Sequence, residues 1–272
     1  MGSIVTDRGV VHYETIGRGP AALLLHCWLG SWANWRDAMT VLARSYRVHA
    51  LDFWGFGESS EQHHYEIADY VSMVETFMDT LGIASAPVLG HSMGGSVALC
   101  LALKQPERVQ KVVIVGSPVD GASLSFWLHV AGKPFFGWLA WNVPFFLPVV
   151  MRLYAPWIAT DHRRWYRMFK EDINRTSMQA FCYSIGSLAQ MDLRPRLQDF
   201  KMPVLGIFGA KDNIVNPNQA ALVNRMPFGR SIIFERSRHY PMLDESERFF
   251  QTLLAFLQEP AAGAPAVLPA PA

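Results

Sequence analysis

The sequence predicts an α/β fold in which a mostly parallel sheet carries helices on both faces, and three observations lead there. Up to about residue 115, aliphatic runs of strand length alternate with amphipathic stretches of helix length. From about 121 to 192 that alternation stops and the chain turns helical, aromatic and Pro-punctuated, before the strand pattern resumes. Half of the 272 residues are apolar and 12% aromatic, enough to bury a large core, while only 17% are charged.

Taken in order, Gly9 to Ile16 and Ala21 to His26 read as strands, the second a continuous aliphatic run of the kind buried on both faces of a sheet. Trp32, Trp35, Met39 and Leu42 fall near helical spacing between Ser31 and Ser45, and Tyr46 to Leu51 is a strand ending at Asp52. A turn from Asp52 to Ser59 follows, holding Gly55 and Gly57. Apolar residues at 67, 70, 71, 74, 77, 78 and 81 make Tyr65 to Leu81 an amphipathic helix. Pro87 to Leu89 is a short strand leading into a turn at Gly90, Ser96 to Gln105 a helix, and Val112 to Val115 another strand. This order gives a parallel sheet covered on both faces. Beyond the insertion, Pro203 to Phe208 and Ser231 to Glu235 are strands and Ser246 to Leu257 is the last helix. The expected division is a core of residues 1–120 and 193–258, a helical subdomain of 121–192, and a flexible Ala- and Pro-rich tail of 259–272.

A formal net charge of +1 leaves no field to gather nucleic acid or an anionic surface, which points to a small, mostly neutral substrate. Cys27, Cys100 and Cys182 show neither CxxC nor Cys/His spacing, so no disulfide framework and no metal site is expected. The first residues lack the basic and then apolar stretch of a secretory signal, so the expected location is cytoplasmic. The expected state is a monomer or homodimer.

The chemistry is carried by Gly90-His91-Ser92-Met93-Gly94, a G-x-S-x-G pattern between a short apolar strand and a helix, the setting in which that pattern forms a nucleophile elbow. Glycines permit the strained turn that lifts the Ser92 hydroxyl clear of the backbone, and the helix N-terminus favours developing negative charge. A serine hydroxyl needs a base, itself held in one tautomer by a carboxylate. After an elbow of this kind the partners follow in the order acid, then histidine, each in a loop after a late strand. Asp212 follows the strand ending at Phe208, and His239 follows the one ending near Glu235. Two backbone N–H groups complete an oxyanion hole: Met93 after the nucleophile and Trp28 in the loop His26-Cys27-Trp28-Leu29-Gly30. His26 reads as a brace for this loop. Asp120, past Gly116-Ser117-Pro118, is a second candidate acid, ranked behind Asp212.

Together these residues resemble the α/β-hydrolase superfamily, in its lid-bearing esterase, lactonase and carbon–carbon hydrolase group. The likeness covers nearly the whole chain and rests on the His26 loop, Asp52 with Gly55, Gly57 and Ser59, the Ser92 elbow, Gly209 with Asp212, and His239 with Pro241 and Glu245. It implies eight strands, a helical lid between strands six and seven, and acyl-enzyme chemistry without metal or organic cofactor. Two departures stand out: Cys27, where the family usually carries glycine after the loop histidine, and Tyr240-Pro241 after the Arg238-His239 pair. Family members with aspartate at the elbow, the dehalogenases and epoxide hydrolases, are set aside by Ser92. Carbon–carbon hydrolases share an Asn-bearing loop like Ser31 to Trp35 but carry a longer Gly-rich oxyanion loop. Ester hydrolysis therefore ranks first, ahead of a carbon–carbon hydrolase or lactonase, and of a slow-turnover small-molecule receptor.

Phe126, Trp127, Phe136, Trp138 and Trp141 make the insertion an apolar roof, broken into short helices by Pro134, Pro144, Pro148 and Pro156. Pro134 to Met151 is uncharged for nearly the length of a bilayer span, but its prolines argue against one. The expected substrate pocket is built from His26, His91, Trp127, Phe136, Trp138 and Tyr240.

Overall fold

The computed structural model describes residues 2–260, so nearly all of the expected tail lies outside the described residues. Eight strands form one sheet: β1 (Gly2–Thr6), β2 (Gly9–Ile16), β3 (Ala21–Leu25), β4 (Arg47–Leu51), β5 (Ala86–His91), β6 (Val109–Val115), β7 (Val204–Gly209) and β8 (Gly229–Phe234). Their spatial order is β1-β2-β4-β3-β5-β6-β7-β8, antiparallel at the first two pairings and parallel from β4 onward. The central strands β5 and β7 are buried along their whole length, as continuous aliphatic runs between two helical layers must be. β1 is the strand that sequence pattern did not separate from β2: only Ile4 of its five residues is buried, too little for a periodic signal.

The helices are α1 (Arg36–Leu42), α2 (Ile67–Thr80), α3 (Met93–Lys104), α4 (Phe126–Ala131), α5 (Pro134–Asn142), α6 (Phe146–Ile158), α7 (His162–Ile173), α8 (Met178–Gln190), α9 (Gln219–Val223), α10 (Pro241–Asp244) and α11 (Ser246–Gln258). α3 lies on β5 and β6 and packs against α2, while α1 meets α11. α3 starts at Met93, three residues before the sequence reading placed it, because the elbow feeds directly into the helix. α4 to α8 form the segment between β6 and β7. Its two ends run together as a neck, where Gly121 N–H donates to Met191 O at 2.7 Å and Leu193 N–H to Val119 O at 3.0 Å.

Candidate active site

β5 delivers Ser92 at its C-terminal end in a backbone conformation of φ 52° and ψ −117°. A non-glycine residue there costs about 1–3 kcal/mol, which the surrounding packing must hold in place. The turn closes only because its neighbours lack side chains: a Cβ on Gly90 would strike the Gly94 carbonyl, and one on Gly94 would strike the Leu25 carbonyl. Ser92 N–H donates to Val115 O at 2.8 Å, which fixes the elbow to the end of β6.

β7 and β8 bring the other two groups. His239 Nδ1 stands 2.8 Å from Asp212 Oδ2, and both residues are buried. With Nδ1–H donating to the carboxylate, Nε2 is left as the proton acceptor. The other Asp212 oxygen accepts from Ile214 N–H at 2.8 Å and Val215 N–H at 3.1 Å, so the carboxylate cannot swing away. Gly116 packs against this pair, and a Cβ on it would stand 3.1 Å from His239 Nδ1 and 3.3 Å from Asp212 Oδ2. Its φ of +53° is also one that glycine adopts without strain. Asp120 is occupied elsewhere: it accepts from Ala122 N–H and pairs with Arg194 at 3.1 Å.

The loop after β3 turns tightly, Gly30 N–H donating to Cys27 O at 3.1 Å with Leu29 at φ 58°. Among the described residues, neither Trp28 N–H nor Met93 N–H has a hydrogen-bond acceptor. The Trp28 indole is held by its Nε1–H on Phe181 O at 3.0 Å, a contact from the core to α8. His26 accepts from Phe53 N–H at Nε2 (2.9 Å) and donates from Nδ1 to Cys27 O (2.7 Å), which makes it a brace between two loops. Burial holds its pKa below the usual histidine value. Cys27 takes the departure from glycine inward, with Sγ 3.1 Å from the Tyr240 hydroxyl. Burial pushes its thiol up to about 12, so it remains protonated.

A cavity of about 570 Å³, within the ~300–1,000 Å³ range of small-molecule sites, opens on Ser92 and His239. Trp28, Trp127, Phe136, Tyr154, Trp165 and Tyr240 are among its walls, and among the described residues no Lys, Arg, Asp or Glu lines it. The pocket expected from sequence is therefore corrected at three places. His26 and His91 lie beneath the site with no exposed surface, His91 donating from Nε2 to His239 O at 2.9 Å. Trp138 stands on the outer side of α5, 53% exposed, because the helix turns Phe136 and Ala140 inward instead. A larger open groove of about 990 Å³, between the start of α2 and α8, includes none of Ser92, His239 and Asp212.

Two features escaped the sequence reading. Gly116 gave no signal beyond its place after a strand. Asp172 sits in the buried stripe Trp165, Phe169, Asp172 of α7, where an acid at an apolar helical position is itself a signal. Ser31 Oγ–H donates to its Oδ1 at 2.7 Å, tying α7 to the segment just after the Trp28 loop.

With this geometry, comparison with known proteins is informative. A family model described as alpha/beta hydrolase fold matches residues 20–246. The chain belongs to that family. It is 29% identical over 255 residues to the pimeloyl-[acyl-carrier protein] methyl ester esterase of Aeromonas hydrophila subsp. hydrophila, covering 91% of this chain and 99% of that one. The protein of the same name from Vibrio parahaemolyticus is 27% identical, over 92% of this chain and 98% of its own. Two solved structures share the fold. The enol-lactonase of Burkholderia xenovorans LB400 superposes with a TM-score of 0.82 at 21% identity, over 95% of this chain and 100% of that one. A thermophilic esterase of Thermogutta terrifontis gives 0.82 at 20%, over 94% and 97%.

Proposed function

We propose that this chain is a serine esterase that cleaves carboxylic esters of small to medium apolar substrates through an acyl-enzyme. Ser92 Oγ attacks the carbonyl carbon while His239 Nε2 takes its proton, and the N–H groups of Met93 and Trp28 receive the oxyanion. The His239 proton then goes to the departing alkoxide, which leaves as the alcohol. Water, giving its proton to His239, attacks the acyl-enzyme and releases the acid and Ser92. Asp212 holds Nδ1–H throughout, so that Nε2 is the face turned to the serine.

The observation that carries this reading is the opening of strained Ser92 and of the Asp212-held His239 into one uncharged cavity. Helices α4 to α8 act as a lid that supplies its apolar walls. A carbon–carbon hydrolase acting on a vinylogous acid needs cationic groups beside the serine, and the lining has none. The names of the Aeromonas and Vibrio relatives assign those proteins a methyl ester, a substrate type this cavity suits.

The test is hydrolysis of p-nitrophenyl esters of increasing acyl length by the wild type and Ser92→Ala. Turnover of short and medium esters that drops by about 10⁶ in kcat in the variant is expected. Equal rates in both proteins overturn the reading, and no turnover of any ester leaves a receptor as the better description.

A further inference from the structure

The helices over the cavity expose more apolar surface than packing on the sheet requires. Phe145 is 78% exposed, Phe126 70%, Phe135 64%, and Trp127 and Trp157 are each more than half exposed. At about 200 Å² per large aromatic side chain, the exposed parts of these and Trp138 come to roughly 750 Å² in all, spread over α4, α5 and α6.

α5 and α6 are apolar on both sides. α5 turns Phe136, Gly137 and Ala140 inward, packs Trp141 edge-on against Phe181 at 5.0 Å, and presents Phe135 and Trp138 outward, with no polar residue before Asn142. α6 buries Leu147, Ala155 and Ile158 and presents Val149, Leu153 and Trp157, spaced four residues apart. A helix apolar all round needs an apolar phase on each side, and the described chain supplies only the inner one. At the turn between them Phe145 has φ 62°, a conformation unfavourable for a bulky residue, with its ring in the open while Phe146 lines the cavity.

Three further observations select the occupant. Between Asp120 and Asp161 the chain has no carboxylate, while Lys133 and Arg152 are exposed and, among the described residues, without an ion-pair partner. Arg152 stands over the Tyr166 ring at 5.8 Å, and the pairing of aromatic rings with cations that no carboxylate neutralises matches an anionic lipid interface. α5 has 9 residues and α6 has 13, so neither alone has the ~20 residues of a span, and the 105° bend between them lets both lie along an interface. Trp127, Val150, Leu153 and Trp157 are both exposed and part of the cavity wall, so the patch runs into the cavity mouth.

We propose that the outer faces of α4, α5 and α6 seat this protein on the surface of an anionic phospholipid bilayer, with the cavity mouth against the acyl region. The +1 net charge argued against such a partner; the local sequence, in which residues 121–160 carry Lys133 and Arg152 and no carboxylate, overrides the chain average.

The test is flotation of the full chain with vesicles of ether-linked phosphatidylcholine and with vesicles containing 30% ether-linked phosphatidylglycerol, lipids that carry no carboxylic ester. Binding is thus read independently of the esterase assignment. The wild type should float with the anionic vesicles, and brominated lipids should quench its tryptophan fluorescence. The triple variant Phe126→Ser, Phe135→Ser, Phe145→Ser changes only exposed side chains outside the cavity wall. It should melt as the wild type does by circular dichroism and lose at least tenfold in partitioning. Lys133→Gln and Arg152→Gln should each weaken binding to the anionic vesicles about fivefold. A wild type that floats with neither vesicle, or a correctly folded triple variant that floats as well as the wild type, overturns the proposal. So does a wild-type dimer in sedimentation velocity that the triple variant dissolves, since a second copy would then cover the face.

Discussion

Replacing Asp172 by Asn should stabilise the protein at alkaline pH and leave it nearly unchanged at pH 4. The carboxyl is 5% exposed on α7, accepts from Ser31 Oγ–H, and lies near Asp52 and Glu171, with Arg175 the nearest opposing charge. Burial first, and then Asp52 and Glu171, raise its pKa from 3.8 to about 7. The folded value stands above the unfolded one, so between about pH 4 and 7 the folded chain holds a proton that the unfolded chain has lost. Stability therefore falls as pH rises through that window, and the loss is complete above about pH 7. At 1.36 kcal/mol per pH unit, the gap between the two values amounts to about 4 kcal/mol. Asn carries no charge to desolvate and keeps an acceptor for Ser31. Urea denaturation at pH 4, 6 and 8 should show Asp172→Asn gaining on the wild type from under ~1 kcal/mol at pH 4 to about 2–4 kcal/mol at pH 8. A difference that is flat with pH, or a wild type that is the more stable at pH 8, refutes the reasoning.

Gly116→Ala places a methyl group against His239 and Asp212 in a left-handed conformation. It should lower kcat on p-nitrophenyl butyrate about 100-fold by displacing the pair, at a cost of only ~1–2 kcal/mol in urea stability. A kcat within twofold of wild type would show that the pair tolerates the contact. Ser125 Oγ is buried in the cavity wall and, among the described residues, has no hydrogen-bond partner. Ser125→Ala should therefore stabilise by about 0.5–1 kcal/mol and raise KM only for esters with a polar group in the acyl chain; a loss of stability would show that the hydroxyl is satisfied after all.

Most of the sheet was legible because buried parallel strands write themselves as aliphatic runs: Ala21–Leu25 and Val204–Gly209 differ by one residue or less at each end from the expected spans. The elbow was legible for a different reason, since a strand, a serine between glycines and a helix in that order admit few conformations. Asp212 and His239 were reached through chain order, and the structure places them 2.8 Å apart. The pocket was not legible in the same way. Phe136 and Trp138 are equally apolar, and only the rotation of α5 sends one into the cavity and the other to the surface. Sequence periodicity cannot set that rotation in a helix apolar on every side. His91 is buried at the end of β5 with its ring 4.8 Å from that of His239 and 4.4 Å from that of Tyr240, so adjacency to Ser92 in sequence makes it a support under the site and not a wall of the cavity.

The neck at Asp120 and Asp192 has a consequence for how this protein can change. Because the segment between leaves and rejoins the sheet at one point, stitched by two backbone hydrogen bonds and by Arg194 bridging Asp120 and Asp192, the ends of the inserted chain are already closed. Lengthening or exchanging what lies between them adds little closure entropy, roughly 0.6 kcal/mol for a doubling. Ser92, His239 and Asp212 all stand outside it. The cavity walls and the exposed aromatic face can therefore change as one cassette without disturbing the placement of Ser92, His239 and Asp212.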